Sequence, residues 1–415
     1  MKRKLMRQII NEWRSNIWLA LELLIVSVVM WYVTDSLFVS YSILNEPRGF
    51  NTDHCYFIRY NDLSERSADY KEWESRKEMN DDFLKFFELI ASRPEIEAAG
   101  LGQNAFIYNN SNSNTHLTYD SLDAEVIRRW VSPEYPLVFR VEGANGETPE
   151  ELSRILRDEP HALLASDNFL AAYGIESASD YIGKEFGNWA NGDTVRLLAT
   201  YKPIRYNDYI SAKEKASWSM LYTTACRNYS YFNEMFVRVK ENMDHDFIEN
   251  IMKDAQTNLR VGNWYIANVQ SFDDIRNFHQ QSQDNKKRNM YVVMIFLAVN
   301  IFLGLLGTFW FRTRARVSEI AIRKANGASS ADIFRRVVGE GIMLLLLITP
   351  FAALIDWGLT YYEFNPWYDG YFGAWRFSFC VILTFVMMSV MIILGTAIPA
   401  YRAMKLQPAV ALKEE

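Results

Sequence analysis

Five histidines and three cysteines are the side chains best suited to metal or nucleophilic chemistry, and their spacing supports neither. His54, His116, His161, His245 and His279 are scattered along the chain. Cys55, Cys226 and Cys380 form no C-x-x-C pair, so zinc and redox motifs are missing. Asp244-His245-Asp246 places metal-ligand types side by side, but neighbouring residues of a helix do not share a face, and no metal is expected there. A G-x-x-x-x-G-K-[ST] stretch, whose backbone would cradle nucleotide phosphates, does not occur. No catalytic, cofactor or metal set is therefore expected in this sequence. The best organised chemistry is instead a basic segment, Arg314 to Arg336, with Arg316, Glu319, Ile320, Arg323, Lys324, Gly327 and Ala328 at its centre.

Within that segment Val317, Ile320, Ala321 and Lys324 fall on one helical face. Gly327 fits a helix C-cap, and Ser329 or Ser330 with Asp332 fits the start of the next helix. Periodicity alone leaves two readings open, a surface helix for anionic lipid and a docking helix for a partner protein.

The elements that must position this segment are apolar. Four stretches are long enough to cross a bilayer: Ile17–Leu37, Met290–Phe311, Ile342–Tyr362 and Phe377–Pro399. The first lacks a small-x-small cleavage site and is too long for a signal peptide. Basic residues set the orientation. The N-terminus carries Lys2, Arg3, Lys4, Arg7 and Arg14; the segment after the second span carries Arg312, Arg314, Arg316, Arg323, Lys324, Arg335 and Arg336; the tail carries Arg402, Lys405 and Lys413. All three are expected on the cytoplasmic side, with Lys286, Lys287 and Arg288 as a local exception. Leu5, Ile9 and Trp13 recur every four residues among basic neighbours and suggest a short helix on the inner membrane surface, residues 1–15. Glu22 and Asp35 lie near the ends of the first span, within reach of headgroups or a partner helix. Pro350 predicts a kink in the third span, which also holds Asp356. Tyr361, Tyr362, Phe364, Trp367, Tyr368, Tyr371, Phe372 and Trp375 crowd the next loop as an interfacial belt.

Between the first two spans the chain turns acidic. Residues 41–285 hold 25 Lys+Arg against 39 Asp+Glu, while the whole chain is at −6, so the ends are basic. An acidic middle argues against nucleic acid as a partner. Cys55 and Cys226 both fall in it; a disulfide and two unpaired thiols are both open, the unpaired state being the simpler reading. Strand patterns occur at Cys55–Tyr60 and Glu234–Val239. Phe83, Phe86, Phe87 and Ile90 mark a helix stopped by Pro94, and Phe247, Ile251 and Ala255 mark another. Further strands follow near Glu97–Leu101 and Trp264–Ala267. The pattern predicts two strand–helix–strand units forming an α+β subdomain, with a mainly β insertion between them. Its turns are Asn145-Gly146 and Asn191-Gly192, and Asn109–Asn114 reads as a loop tip. The aromatics of the insertion (Trp189, Tyr201, Tyr206, Tyr209, Trp218, Tyr222, Tyr229, Tyr231) fit a partner surface or a β core equally.

The stretch Glu319 to Ser329 closely resembles the signature of the FtsX-like, or MacB-type, ABC transporter permease family, with Asn326 at an often apolar position. The tail from Pro399 to Leu412 resembles that family's closing pattern, and Phe83–Ala99, His161–Ile182 with Gly183-Lys184, and Met235–Phe272 resemble its core domain. The resemblance implies a membrane α-helical protein, four spans arranged one plus three around a large extracytoplasmic α+β domain. The implied domains are 1–15, 16–40 (first span), 41–288 (core domain) and 289–415 (permease domain), with a coupling segment at 312–338. It implies a permease subunit in the bacterial inner membrane, both termini cytoplasmic, docked on a separate cytoplasmic ABC ATPase that holds ATP and Mg. The coupling residues would be Arg316, Glu319, Ile320, Arg323, Lys324, Gly327 and Ala328. A second permease, membrane lipids, and a periplasmic adaptor or outer-membrane channel are further implied partners. ATP hydrolysis would move the outer domain by mechanotransmission, to export or extract a peptide, antibiotic or lipoprotein; the alternative is a regulator that activates an envelope hydrolase or senses peptides. Gly304 and Gly307 allow a close helix contact in the second span.

Overall fold

The computed structural model describes residues 13–109, 113–159, 161–189, 192–223, 234–315, 317–362 and 373–405. The surface helix expected at 1–15 lies outside them apart from its last residues, and so do Cys226 and most of the aromatic loop at 363–372. The chain divides into two compact units, residues 43–284 and residues 1–42 with 285–415.

In the first of these, consecutive buried residues of β1 (Cys55–Asp62) and β9 (Glu234–Val239), Cys55–Ile58 and Met235–Val239, build the centre of a sheet covered on both faces. Helix α2 (Arg76–Ala91) starts at Ser75, whose side chain accepts from the Glu78 N–H, so the first turn has a donor satisfied locally. Its Phe83, Phe86 and Ile90 recur at helical spacing and are buried. After it comes β2 (Ile96–Gln103). Helix α5 (Phe247–Ala255) buries Phe247 and Ile251 on the same core, followed by β10 (Arg260–Val261) and β11 (Trp264–Ser271). The strands lie in the order β10-β11-β1-β9-β2 with antiparallel neighbours. One face packs Tyr56, Ile58, Leu101 and Val237 against α2 and α5. The opposite face carries Phe57 and Phe236 against the short helix α3 (Tyr135–Phe139) and α4 (Pro149–Asp158).

From β2 the sheet passes into β4 (Leu122–Val131) through two residue pairs, Gly102 with Val131 and Gln103 with Trp130. The order then runs β4-β3-β6-β7-β5-β8, with β3 at Asn114–Tyr119, β5 at Ala162–Ser166, β6 at Glu185–Asn188, β7 at Asp193–Tyr201 and β8 at Ser219–Tyr222. A parallel pairing of β8 with β4, Ile127 to Ser219 through Trp130 to Tyr222, closes these strands into a small barrel. Its interior is filled by Leu117, Val126, Leu163, Phe169, Phe186, Leu197 and Tyr222. Small barrels of this size are packed with side chains and enclose no channel. Tyr201 and Tyr222 are therefore core residues, whereas Trp189 is 67 % exposed and stacks on His116.

The second unit is helical. Four of its helices contain stretches long and apolar enough to cross a membrane, Ile17–Leu44, Phe272–Thr308, Ala331–Tyr361 and Ala374–Ala397, with residues 45–271 between the first and the second in chain order. They lie in α1 (Trp13–Leu44), α6 (Phe272–Ala315), α8 (Ser330–Tyr361) and α9 (Ala374–Lys405). Each helix outruns the apolar stretch read from sequence, because polar turns such as Phe272–Lys287 continue the same hydrogen-bonding ladder. Leu19, Leu23, Val26 and Met30 of α1, alternating three and four residues apart, pack on Leu344, Leu345 and Ile348 of α8 and Met388 and Ile392 of α9. The outward residues Val292, Ile295 and Phe296 of α6 are equally apolar, as expected of a surface facing lipid. Helix α8 runs on through Pro350.

Phe86 is fully buried between α2 and the sheet. Phe86→Ala should lower the stability of this unit by about 3–5 kcal/mol, read as an earlier midpoint in denaturant, while Trp189→Ala at an exposed site should shift it little.

Candidate functional site

The basic segment forms a helix, a tight turn and a second helix. Helix α7 (Val317–Ala325) ends at Asn326, and Gly327 has φ of +89°, the left-handed region where a side chain costs energy. The Ala328 N–H donates to the Arg323 carbonyl (3.1 Å), the six-to-one bond of a Schellman turn. One residue later Ser329 caps α8: its hydroxyl accepts from the Asp332 N–H, and the Asp332 carboxylate accepts from the Ser329 N–H. Ile320 and Ile333 are buried together and fix the two helices across the turn. Arg323, Asn326, Gly327, Ala328, Asp332, Ile333 and Arg336 line an open cleft of about 530 Å³. Arg336 pairs with Glu340 at 3.6 Å. Glu319 and Lys324 belong to α7; Arg316 lies outside the described residues. Of the expected coupling residues, Arg323, Gly327 and Ala328 thus meet at one cleft, and Ile320 serves the packing beneath it.

A cation lining and exposed backbone at a helix turn can receive an acidic or polar surface of another protein. The carboxylate lining it, Asp332, is engaged with the Ser329 N–H and hydroxyl, and no group of three or more metal-ligating side chains occurs among the described residues. Asp244 is occupied otherwise: its two oxygens accept from the Tyr56 hydroxyl and meet His54 Nδ1 at 2.7 Å, and the neighbouring His245 side chain is exposed. Cys55 is a buried free thiol 3.2 Å from the Val138 carbonyl, and burial pushes its pKa up to about 12, which leaves it unreactive.

Within the helical unit, Glu22 of α1 accepts hydrogen bonds from Thr308 of α6 at 3.0 and 3.3 Å, and Gly304 lies beside the same carboxylate. Nothing stands within 4 Å of a Cβ built on Gly307. Asp35 is 1 % exposed and accepts from Nε and one terminal nitrogen of the Arg376 guanidinium at the start of α9, the Nε–Oδ1 bond being 2.7 Å. The carboxylates of the first span are thus spent on partner helices.

The sequence reading missed a second constellation, in the other unit. Asp208, 5 % exposed, sits in the loop after β7. Arg276, in the first turns of α6, donates Nε to its Oδ2 at 2.7 Å; Tyr108 donates to Oδ1 at 3.0 Å; Arg48 lies at 3.5 Å. Arg205, 1 % exposed, donates to the carbonyls of Ile210, Glu46 and Asp208 at 2.7–2.9 Å. The Glu46 carboxylate accepts from Ser211 and from the Ala212 N–H. Gly49, with φ of +78°, passes so close that a Cβ would stand 2.1 Å from the Pro203 carbonyl oxygen. The segment that follows α1 and the segment that opens α6 are therefore both tied to the loop 203–212. No periodic signal marks these residues, since they come from four separate segments of the chain, around 46–49, 108, 203–212 and 276.

Four helices of membrane-crossing length and composition, joined to this acidic unit, define a membrane protein. Its family follows from comparison. Residues 291–408 match the FtsX-like permease C-terminal family, covering α7, the Gly327 turn and α8. The chain is similar to the macrolide export ATP-binding/permease protein MacB of Pasteurella multocida (strain Pm70), at 26 % identity over 211 residues, 50 % of this chain and 31 % of that protein. The chain thus spans about a third of the length of that relative. The extracellular domain of the noncanonic ABC-type transporter YknZ from Gram-positive bacteria aligns with 52 % of this chain and 100 % of its own, at 10 % identity and a TM-score of 0.31, too loose a likeness to describe the fold. These matches support an FtsX/MacB-type permease family, the family model being carried by residues 291–408.

Burial alone would push the Asp208 carboxyl up, but the hydrogen bonds from Arg276 and the charges of Arg48 and Arg276 outweigh it and hold it below the ordinary carboxylate range. The folded value lies below the unfolded one of ~3.9, so the stability this contributes is present above that pH and is lost as pH falls through the folded value. Asp208→Asn should cost about 2–3 kcal/mol at neutral pH and flatten the fall in melting temperature at acid pH; an equally steep acid fall in the variant would contradict the role of this carboxylate.

Proposed function

We propose that the chain is the membrane subunit of an ABC transporter that transmits the ATP cycle of a separate cytoplasmic ATPase to the unit at residues 43–284, placed outside the cytoplasm, by mechanotransmission. It works beside a second permease, in the inner membrane, with both termini cytoplasmic. The observation that carries this reading is the double attachment at Asp208 and Arg205. A unit that hung from one flexible tether could not be moved by its helices. Here the exit from α1 and the entry to α6 are fastened to the same loop by charged hydrogen bonds, so a displacement of either helix loads the folded unit directly. Helix α6, uninterrupted from Phe272 to Ala315, leads from that attachment to the Gly327 segment.

The ATPase docks at α7 and the Gly327 turn through Arg316, Glu319, Ile320, Arg323, Lys324, Gly327 and Ala328. The left-handed turn sets the angle between α7 and α8, so tilting α7 on the ATPase tilts α8 with it. Cargo is an exported or extracted peptide, antibiotic or lipoprotein, pushed by the outer unit without threading the bundle. The relative's name couples macrolide export to an ATP-binding/permease protein, which supports export as the direction.

Two measurements test this. The full chain, co-expressed with its ABC ATPase and purified in lipid-supplemented detergent, should co-elute with it, and Arg323→Glu with Lys324→Glu should abolish co-elution; unchanged co-elution would remove the docking assignment. Proline at Gly327 would impose φ near −65° where the turn has +89°. Gly327→Pro should leave membrane insertion intact while ATP no longer changes spin-label distances between the outer units, and wild-type distance changes in that variant would refute coupling through this turn.

A further inference from the structure

Inside the helical bundle three polar atoms from three helices have no hydrogen-bond partner: Nε1 of Trp31 on α1, Oδ1 of Asp356 on α8 and Oγ1 of Thr384 on α9. All three residues are buried, at 1 %, 2 % and 2 % exposure. All three line one small cavity, together with Ser27, Thr349, Ala352 and Phe385. Its volume of about 10 Å³ is close to the ~10–15 Å³ that one water needs by the same measure. The neighbouring Thr349 and Thr360 hydroxyls donate to carbonyls of their own helix, the latter to Asp356 itself, and do not reach the carboxyl.

We propose that Asp356, Trp31 and Thr384 form a proton-binding site, in which the neutral carboxylic acid of Asp356 and a single water complete one another's hydrogen bonds with the indole N–H and the threonine hydroxyl. Charge carries the argument first. Arg376 is the buried cation of this unit among the described residues, and Asp35 occupies it with both oxygens. The charged or titratable groups around the site are Asp35 on α1 and Arg376 and Cys380 on α9; the ion pair is neutral as a whole and offers no counter-charge to Asp356. An unpaired carboxylate in apolar surroundings is far costlier than its protonated form, which takes one proton from solvent and becomes both donor and acceptor. Hydrogen-bonding character decides the occupant. The indole can only donate, so a metal cation would meet an N–H pointing its positive end inward; a water oxygen accepts both that bond and the Asp356 O–H, and one water hydrogen goes to the Thr384 hydroxyl oxygen. The site rests on bundle packing alone and is independent of what the outer unit moves.

Infrared spectroscopy of the full chain in lipid nanodiscs tests it. At pH 7 the wild type should show a carboxylic-acid C=O band, shifted in D₂O, that is missing from Asp356→Asn, whose neutral amide should keep the wild-type melting temperature. Identical band intensities in the two proteins would overturn the proposal, as would a band that survives Asp356→Asn and disappears in Asp35→Asn. Trp31→Phe removes the indole donor and should move the Asp356 band in frequency; an unmoved band would overturn the water bridge. If Asp356→Asn were poorly folded, the wild-type spectrum alone decides, since the absence of any D₂O-sensitive acid band at pH 7 refutes the site.

Discussion

One carboxylate, Asp208, meets arginines from both ends of its unit, Arg48 beyond α1 and Arg276 at the head of α6. Everything between those ends has to fold so that the loop after β7 arrives at this point. The barrel closure sets where β7 stops, the short approach of Gly49 to Pro203 sets how closely the incoming chain lies, and Arg205 fills its donors with three carbonyls so that the loop cannot open locally without leaving a buried guanidinium unpaired. The arrangement resembles a knot made of charge: each partner is satisfied only while the others stay.

The helical unit uses polar groups in the opposite manner. Its apolar contacts, such as Leu23 and Met30 against Leu345 and Met388, gain nothing from excluding water once lipid surrounds them, so register depends on close packing and on the few polar contacts. Glu22 with Thr308, and Asp35 with Arg376, bind α1 to α6 and to α9 at different heights of the same helix. Removing either Asp35 or Arg376 would leave a buried charge with no water to solvate it, which makes that contact specific out of proportion to its size.

Local chemistry was readable from the sequence where it is written in neighbouring residues. Gly327 and the Ser329–Asp332 pair lie within six positions and specify a turn by backbone preference alone. Helix α2 follows from a period of 3.6, and β9 from a short run rich in apolar and β-branched residues. The barrel was harder to see, because β6 has four residues and β8 four, too few for a period to repeat, and because the parallel β4–β8 pairing joins strands that are distant in the chain. The Asp208 attachment was invisible for the same reason: Glu46, Arg48, Tyr108, Arg205 and Arg276 look like ordinary surface polar residues until the chain has brought them together. The coupling segment carried a family resemblance, whereas the Arg376 partner of Asp35 had no motif to announce it.

The strand order ends on one side at β10, two residues long, and on the other by closing upon itself. A long bare edge on a protein held at high density in one plane would be a template for its neighbours, since every copy would present the same row of amides at the same height. Here β10 covers β11 only at Trp264 and Tyr265, so among the described residues the row from Ile266 to Ser271 has no strand on that side. Copies concentrated side by side would meet at that row first, and its side chains decide whether a neighbour is retained.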